Sequence, residues 1–276
     1  MHSGNFHASG VITLTTDFGL KDPFVGVMKG QVLRRFLEAR IVDLTHEIVA
    51  HWPAEAGFWL ARSFRYFPAG TVHVAVVDPG VGSSREIAVV ETEGHLFLAP
   101  DNGLLGALVD RATEPLVQRR LASTVPATLG IQKVSATFHG RDIFAPIAAE
   151  IAAGRLLPAA LGEVVTDLIP GWIEEPARTA AQVSGVVVTV DHFGNLITNI
   201  DAQLVEGFAH PVVRVGGREL AMRRTYSDVR PGDYLVLVNS FGVIEVARAE
   251  QSASAGLGLA RSFRYFPAGT VHVAVV

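Results

Sequence analysis

Three short apolar runs rich in β-branched residues, VITLTT at 11–16, TVHVAVV at 71–77 and EIAVV at 86–90, constrain this chain more than anything else in it. Runs of strand length with hardly any polar alternation read as strands buried on both faces, and such strands occur where helices cover a sheet above and below. Helical patterns lie between them. Asp22-Pro23 sets an N-cap ahead of a first-turn proline and opens FVGVMKGQVLRRFL, whose apolar residues recur at helical spacing. Trp52-Pro53 opens AEAGFWLARSFRYF, which stops at Pro68. Strands alternating with helices over residues 11–155 predict an α/β domain built on a mostly parallel sheet with flanking helices.

The pattern then changes. Residues 156–182 carry Pro158, Pro170 and Pro176 with little sustained periodicity and read as a linker. Beyond it, VSGVVVTVD, LITNI, PVVRV, YLVLVNS and VIEVA are separated by Gly, Pro and Asp turns, which predicts a smaller all-β, barrel-like domain over 183–276. One stretch is out of place, because LARSFRYFPAGTVHVAVV at 60–77 returns unchanged at 259–276. Architectural repeats recur at a fixed period and diverge, so a single unaltered copy reads as a duplicated tail. Its TVHVAVV still has the pattern of a strand that could close a barrel. The opening MHSGNFHASG lacks the basic and apolar regions of a signal peptide and reads as a loose leader.

Composition narrows the partners. The 276 residues include 23 Lys and Arg against 27 Asp and Glu, a net charge of −4, with no basic block. Nucleic acid and anionic membrane surfaces are therefore not expected partners, since both require clustered cations. The absence of cysteine excludes disulfides, thiolate zinc sites and a Cys nucleophile, and fits a cytoplasmic protein. No apolar run reaches the roughly 18–20 residues that span a bilayer.

Candidate chemistry gathers at strand ends. Asp17, Asp78, Asp101 and Asp191 each follow a strand-like run, and ligands of open α/β sheets bind beyond the carboxyl ends of the strands, so the first three could share one crevice. A strand-end Asp is equally an ordinary turn residue. In DPGVGSSR, residues 78–85, glycines let the backbone approach a ligand, and Asp78 and Arg85 are close enough to face one another. His139, in TFHGRDIFAP, stands before a predicted helix that Asp142 can cap, and is a candidate for proton handling near neutral pH. Asp17-Phe18-Gly19 spells a kinase motif, yet no glycine-rich phosphate loop or HRD loop accompanies it. No paired-histidine metal motif is present, so no metal is expected, although Asp and His could converge in space to hold one.

Taken together, TTDFGLKDPFVGVMKG, IVDLTHEI, VDPGVGSSR, LAPDNGLL, FHGRDIFAP, DHFGNLITNI and NSFG resemble the S-adenosylmethionine (SAM) hydroxide adenosyltransferases, relatives of the SAM-dependent fluorinating and chlorinating enzymes. The resemblance runs in order from about residue 11 to residue 253. It implies an N-terminal α/β domain, a C-terminal β-barrel, and a homotrimer with SAM held between the N-terminal domain of one subunit and the C-terminal domain of its neighbour. The implied reaction is attack of water or hydroxide on the C5′ carbon of SAM, giving adenosine and L-methionine, with SAM as substrate and no cofactor. The family's catalytic triad falls on Asp78, Arg85 and His139. Substrate-binding roles fall on Asp17 at the ribose hydroxyls, Asp22 and Trp52 near the nucleoside, Phe138 at the adenosine wall, and Asp191, Asn195 and Ser240 at the methionine and adenine groups. The fluorinating relatives have Tyr-Ser where this chain has His139-Gly140 and lack the Asp and Arg of DPGVGSSR, which disfavours halide transfer. Other readings are a catalytically silent SAM- or adenosine-binding protein and a metal-dependent hydrolase.

Overall fold

The computed structural model describes residues 6–259 and 272–276, so the first half of the leader and residues 260–271 of the duplicated tail lie outside the described residues. Two compact units divide the chain, Met1–Trp172 and Ile173–Val276. The division falls inside the stretch read as a linker, and residues 156–172 pack with the first unit.

The first unit runs β1 (Val11–Thr16), α1 (Phe24–Arg35), β2 (Arg40–Thr45), α2 (Pro53–Ser63), β3 (Val72–Val76), β4 (Ile87–Thr92), β5 (His95–Pro100), α3 (Gly106–Asp110), β6 (Val117–Leu121), α4 (Val125–Thr128), α5 (Ala145–Ala152) and β7 (Gly162–Val164). The sheet order is β2-β1-β3-β5-β4-β6-β7. It is a mixed sheet: β2, β1, β3 and β5 run parallel, whereas β5–β4, β4–β6 and β6–β7 pair antiparallel. The parallel half follows from the crossover helices α1 and α2; the antiparallel half begins where Glu93-Gly94, both at positive φ, turn β4 directly into β5. Helices cover both faces. Met28 and Val32 of α1 and Ile147 and Ile151 of α5 bury against Ile12, Leu14, Val72 and Val74, while Ala56 and Leu60 of α2 with Leu104 and Leu108 bury against Ala75, Val77, Val90 and Phe97. Helix α1 starts one residue later than expected, with Pro23 at the cap position, and Asp22 is an exposed loop residue before it.

From β1 the chain passes to β2 on one side and then to β3 on the other. The order reverses at the carboxyl ends of β1 and β3, the place where an open α/β sheet leaves a crevice.

The second unit carries β8 (Ala177–Arg178), β9 (Val183–Val190), β10 (Leu196–Asp201), β11 (Val212–Val215), β12 (Arg218–Ala221), β13 (Tyr234–Val238), β14 (Val243–Arg248), α6 (Ala253–Gly256) and β15 (His272–Val275). Its order is β12-β11-β15-β9-β10-β14-β13, with neighbours antiparallel. Met222, just past β12, bridges Val236 of β13, so the two ends of the sheet approach one another as a nearly closed barrel around Val183, Val187, Leu196, Ile200, Val213, Val236, Ile244 and Val246. The duplicated tail takes part: β15 pairs with both β9 and β11.

Inside the first unit, a polar chain crosses the apolar layer. Thr13 Oγ1 lies 2.8 Å from His73 Nδ1, and His73 Nε2 lies 3.1 Å from His95 Nδ1. Both rings are buried, and His73 stacks on Phe97 at 4.8 Å. Burial, and then the charge His95 would carry, keep His73 well below the ordinary histidine value. Burial also lowers His95, with Glu93 pulling it back up and Arg65 pressing it down. An unfolded histidine binds a proton near about pH 6.5, whereas these folded rings resist it, so stability is retained above that pH and lost as pH falls through it. Denaturant titrations at about pH 7.5 and 5.5 should differ by about 1–2 kcal/mol from this source. The substitution His73→Gln should remove roughly half of that difference, because one of the two titrating rings is gone.

Candidate active site

Strand β1 ends at Thr16 directly beside Val76 of β3, which brings the following residues of both strands to one crevice. A cleft of about 290 Å³ opens there, lined by Asp17, Phe18, Phe24, His51, Val76, Asp78, Val81, Phe138 and His139 among others. Asp17 and Asp78 therefore share a site as expected. Asp101 does not: its Oδ1 accepts the backbone N–H of Ile169 at 2.9 Å, and its buried carboxylate fastens the 166–172 segment to the end of β5.

Two of the lining residues, Asp78 and His139, are joined through Arg85, which is not itself part of the lining, into a chain of three charged or polar groups. Arg85 Nε donates to both Asp78 oxygens at 3.0 Å, and its Nη2 donates to Asp78 Oδ2 and to His139 Nδ1, the latter at 2.8 Å. The Arg85 and Asp78 side chains are only 10% and 5% exposed. Because arginine can only donate, His139 Nδ1 accepts and the neutral ring carries its proton on Nε2. Burial first, and the Arg85 charge second, hold His139 below its ordinary value, against the opposing pull of Asp78 and Asp142.

Two features of backbone bring these residues together. Arg85 is returned toward Asp78 by a compact loop in which Val81 N–H donates to Asp78 O at 3.2 Å and Ser83 Oγ–H donates to Gly80 O at 2.6 Å. His139 begins a π-helical turn, Gly140–Phe144, that runs into α5. Asp142 lies within this turn rather than at its cap, where it accepts from Ser135 N–H at 2.8 Å and from Arg141 and is held at about 2 by the Arg141 hydrogen bond. The loop touches the segment leading into the turn at Gly82, whose φ is +80° and where an added Cβ would stand 2.1 Å from Ala136 O.

Asp17 accepts the His51 N–H at 2.8 Å through Oδ2, and burial raises its carboxyl above the ordinary value against that bond. His51 has φ +66° and a side chain 77% exposed at the cleft mouth. Its neighbour Trp52, the expected nucleoside contact, is half-buried at the start of α2 and outside the cleft lining, as is Asp22. Phe138 is in place, packed edge-to-face against Phe18 at 5.8 Å and Phe24 at 5.4 Å. Sequence reasoning missed Phe18, Phe24 and His51; the signal for the first was its position beside Asp17, and for Phe24 its place on the first turn of a strand-end helix.

In the second unit, Asp191 ties the β9–β10 turn. Its Oδ1 accepts from Phe193 N–H at 2.9 Å and Asn195 N–H at 2.8 Å, and its Oδ2 from Asn195 Nδ2 at 3.0 Å. Ser240 is exposed in the β13–β14 turn, which Asn239 Oδ1 holds by accepting from Phe241 N–H at 3.0 Å. Glu245, unforeseen inside VIEVA, is buried and accepts Tyr226 O–H at 2.6 Å; burial raises its carboxyl and raises the Tyr226 phenol. Among the described residues, no group of three or more His, Asp or Glu side chains is placed to hold a metal ion.

Residues 12–162 match the model of the SAM hydroxide adenosyltransferase N-terminal domain, and residues 185–263 match that of its C-terminal domain. The chain belongs to the SAM hydroxide adenosyltransferase family. Among its relatives, a Salinispora arenicola protein named (R)-S-adenosyl-L-methionine hydrolase is 40% identical over 245 residues, covering 86% of this chain and 89% of that protein. One of the same name from Thermus thermophilus is 38% identical, covering 88% and 94%. A fluorinase from Actinopolyspora mzabensis is more distant, at 28%. A solved structure of an uncharacterized conserved protein from Thermotoga maritima superposes with a TM-score of 0.84 at 33% identity, covering 96% of this chain and 99% of that one.

Gly82 decides how closely the Arg85 loop meets the His139 turn. The substitution Gly82→Ala should cost about 1–3 kcal/mol, from the positive φ and the clash with Ala136 O together. Gly80→Ala, whose Cβ would meet Arg85 Cγ at an ordinary 3.4 Å, should be tolerated in stability. Thermal denaturation of the two variants beside wild type measures this contrast.

Proposed function

We propose that this SAM hydroxide adenosyltransferase family member hydrolyses SAM to adenosine and L-methionine by attack of water on C5′, with SAM as substrate and no cofactor. The observation that carries this reading is the joined Asp78–Arg85–His139 chain at the carboxyl ends of β1 and β3, in a chain whose relatives include SAM hydrolases. Methionine departs as a neutral thioether, so no acid is needed at sulfur. The task is to hold one water in line with the C5′–S bond and to take its proton.

Each group has a part in that task. His139 is kept neutral near pH 7 and so is able to accept a proton. Its Nδ1 is engaged by Arg85 at 2.8 Å, so the ring becomes a base when it swings Nδ1 off Arg85 Nη2–H toward the incoming water and leaves that N–H to the water's oxygen. The water then loses a proton to Nδ1 as the resulting hydroxide gains the guanidinium as its partner. Asp78, fixed on the Nε and Nη2 edge, keeps the guanidinium from swinging away. In the same reading Asp17 holds the ribose hydroxyls, Phe138 walls the adenosine with Phe18 and Phe24, and His51 stands where Trp52 was expected. Asp191, Asn195 and Ser240 hold the methionine and adenine groups. Asp22 stands exposed before α1, outside the cleft lining. The reading extends to a cytoplasmic homotrimer with SAM between neighbouring subunits, which size-exclusion chromatography with light scattering tests directly. Among the described residues, no helix is long and apolar enough to cross a membrane.

Incubation with SAM should release adenosine and methionine in equal amounts, separated by chromatography; a folded protein giving no adenosine above the spontaneous background would overturn the assignment. Arg85→Ala should lower kcat by about 100-fold or more while changing SAM affinity by less than about tenfold. Equal losses in both would reduce Arg85 to a binding residue. Because His139 works as the neutral ring and its affinity for protons is depressed, kcat should hold from neutral pH down past about 6.5 and fall only at lower pH. His139→Ala should abolish that acid limb.

A further inference from the structure

The motif IVDLTHEI contributes no residue to the cleft, yet its histidine is buried just behind it. His46 is 1% exposed, and its Nδ1 lies 2.8 Å from Thr16 Oγ1 on the last residue of β1. Thr16 Oγ1 accepts the Phe18 N–H at 3.2 Å, and Gly19 N–H donates to His46 O at 2.8 Å. The ring and carbonyl of one residue thus grip Asp17-Phe18 from both ends. On the far side, His46 Nε2 lies 3.1 Å from Asp43 Oδ1, and Asp43 Oδ2 accepts Lys29 Nζ–H at 2.6 Å, so the ring is braced from β2 and α1. A Thr–His–Asp sequence of this kind resembles a nucleophile relay, but Thr16 is wholly buried and cannot meet a substrate.

We propose that His46 is a positioning residue: through Thr16 and Gly19 it sets the Asp17 carboxylate and Phe18 ring in the cleft, and so governs affinity for the nucleoside rather than the chemistry at C5′. This rests on the reading of Asp17 as the ribose partner. Three physical facts favour it. Asp17 is drawn to the other side by His51 N–H, and the His46 grip on the loop opposes that pull from the β2 side. Gly19 sits at φ +64°, a conformation a glycine leaves easily once its hydrogen bond is lost. The clamp is also of fixed geometry, since the one Thr16 hydroxyl lies 2.8 Å from Nδ1 while it accepts from Phe18 N–H.

The shape of that hydrogen bond supplies the test. An asparagine amide reaches roughly where a histidine Nδ1 stands, and a glutamine amide roughly where Nε2 stands. His46→Asn should therefore keep the Thr16 contact and His46→Gln should lose it. Calorimetry with adenosine, which carries the ribose diol and needs no turnover, should show affinity about tenfold weaker in His46→Gln and within about threefold of wild type in His46→Asn. Thr16→Val should match His46→Gln. With SAM, the same variants should raise KM and leave kcat within about twofold. In an Asp17→Asn background, His46→Gln should add no further loss. Unchanged adenosine affinity in His46→Gln and Thr16→Val, whatever the change in melting temperature, would reduce His46 to a purely structural role and overturn the proposal, as would full additivity with Asp17→Asn. A wild-type protein that binds adenosine but leaves SAM intact would overturn the hydrolase reading and leave the clamp standing; one that binds no adenosine would overturn both.

Discussion

Arg85 and Asp78 carry opposite charges into a cleft where their side chains are almost wholly covered, and neither could be there alone. Removing water from a single ion costs several kcal/mol, whereas a bidentate carboxylate returns much of that through hydrogen bonds in place. The pair therefore requires a frame that fixes both partners before any ligand arrives. That frame is the reversal of strand order at β1 and β3: Asp78 follows a fully buried strand, the loop behind it is locked by Ser83 and the turn at Val81, and His139 is brought across by a contact only glycine at position 82 permits. The electrostatics of the site thus depend on the packing of the sheet, and the sheet on buried strands that helices cover from both sides.

The same dependence explains which residues were legible in the sequence. Asp78, Arg85 and His139 lie in motifs whose glycines and charges have few other uses, so residue chemistry and family resemblance pointed to the same three positions. Asp101 shared every local feature of Asp17 and Asp78, and only the position of β5, one strand farther from the reversal, turned it into an anchor for Ile169. Trp52 came from the family resemblance, but it stands half-buried at the cap of the helix that starts at Pro53, outside the cleft lining, while His51, at a positive φ, lines the cleft. Glu245 was hidden by the strand around it, since an acidic residue in an apolar run is read as the solvent side until a tyrosine is found across from it.

The duplicated segment separates what a short sequence encodes from what its surroundings decide. VHVAV forms β3, buried between parallel neighbours, and HVAV of the second copy forms β15, antiparallel to β9 and β11. Its β-branched pattern specifies an extended strand in both places. Direction and register come from what each strand finds beside it, because backbone pairing is indifferent to side-chain identity as long as the buried face is apolar. The tail's TVHVAVV was read as a strand that could close a barrel, and its β15 occupies the gap between β9 and β11, which would otherwise each present an open edge.

The bearing of this cleft on halide transfer is electrostatic. A halide ion must shed its hydration before it can attack carbon, and a site that offers neutral donors and excludes water lowers that cost. Here the corresponding space holds a guanidinium, a carboxylate and an imidazole already joined to one another. A carboxylate beside the nucleophile's position repels any anion, while the guanidinium and ring together can orient water and receive its proton. Water enters the cleft uncharged and, on the proposed chemistry, gives its proton to His139 as its oxygen becomes negative, so it avoids the repulsion from Asp78 that a halide meets on entry. Under the proposed roles, water is favoured over halide because the guanidinium already has its counterion and the neutral imidazole beside it can take a proton that only water has to give.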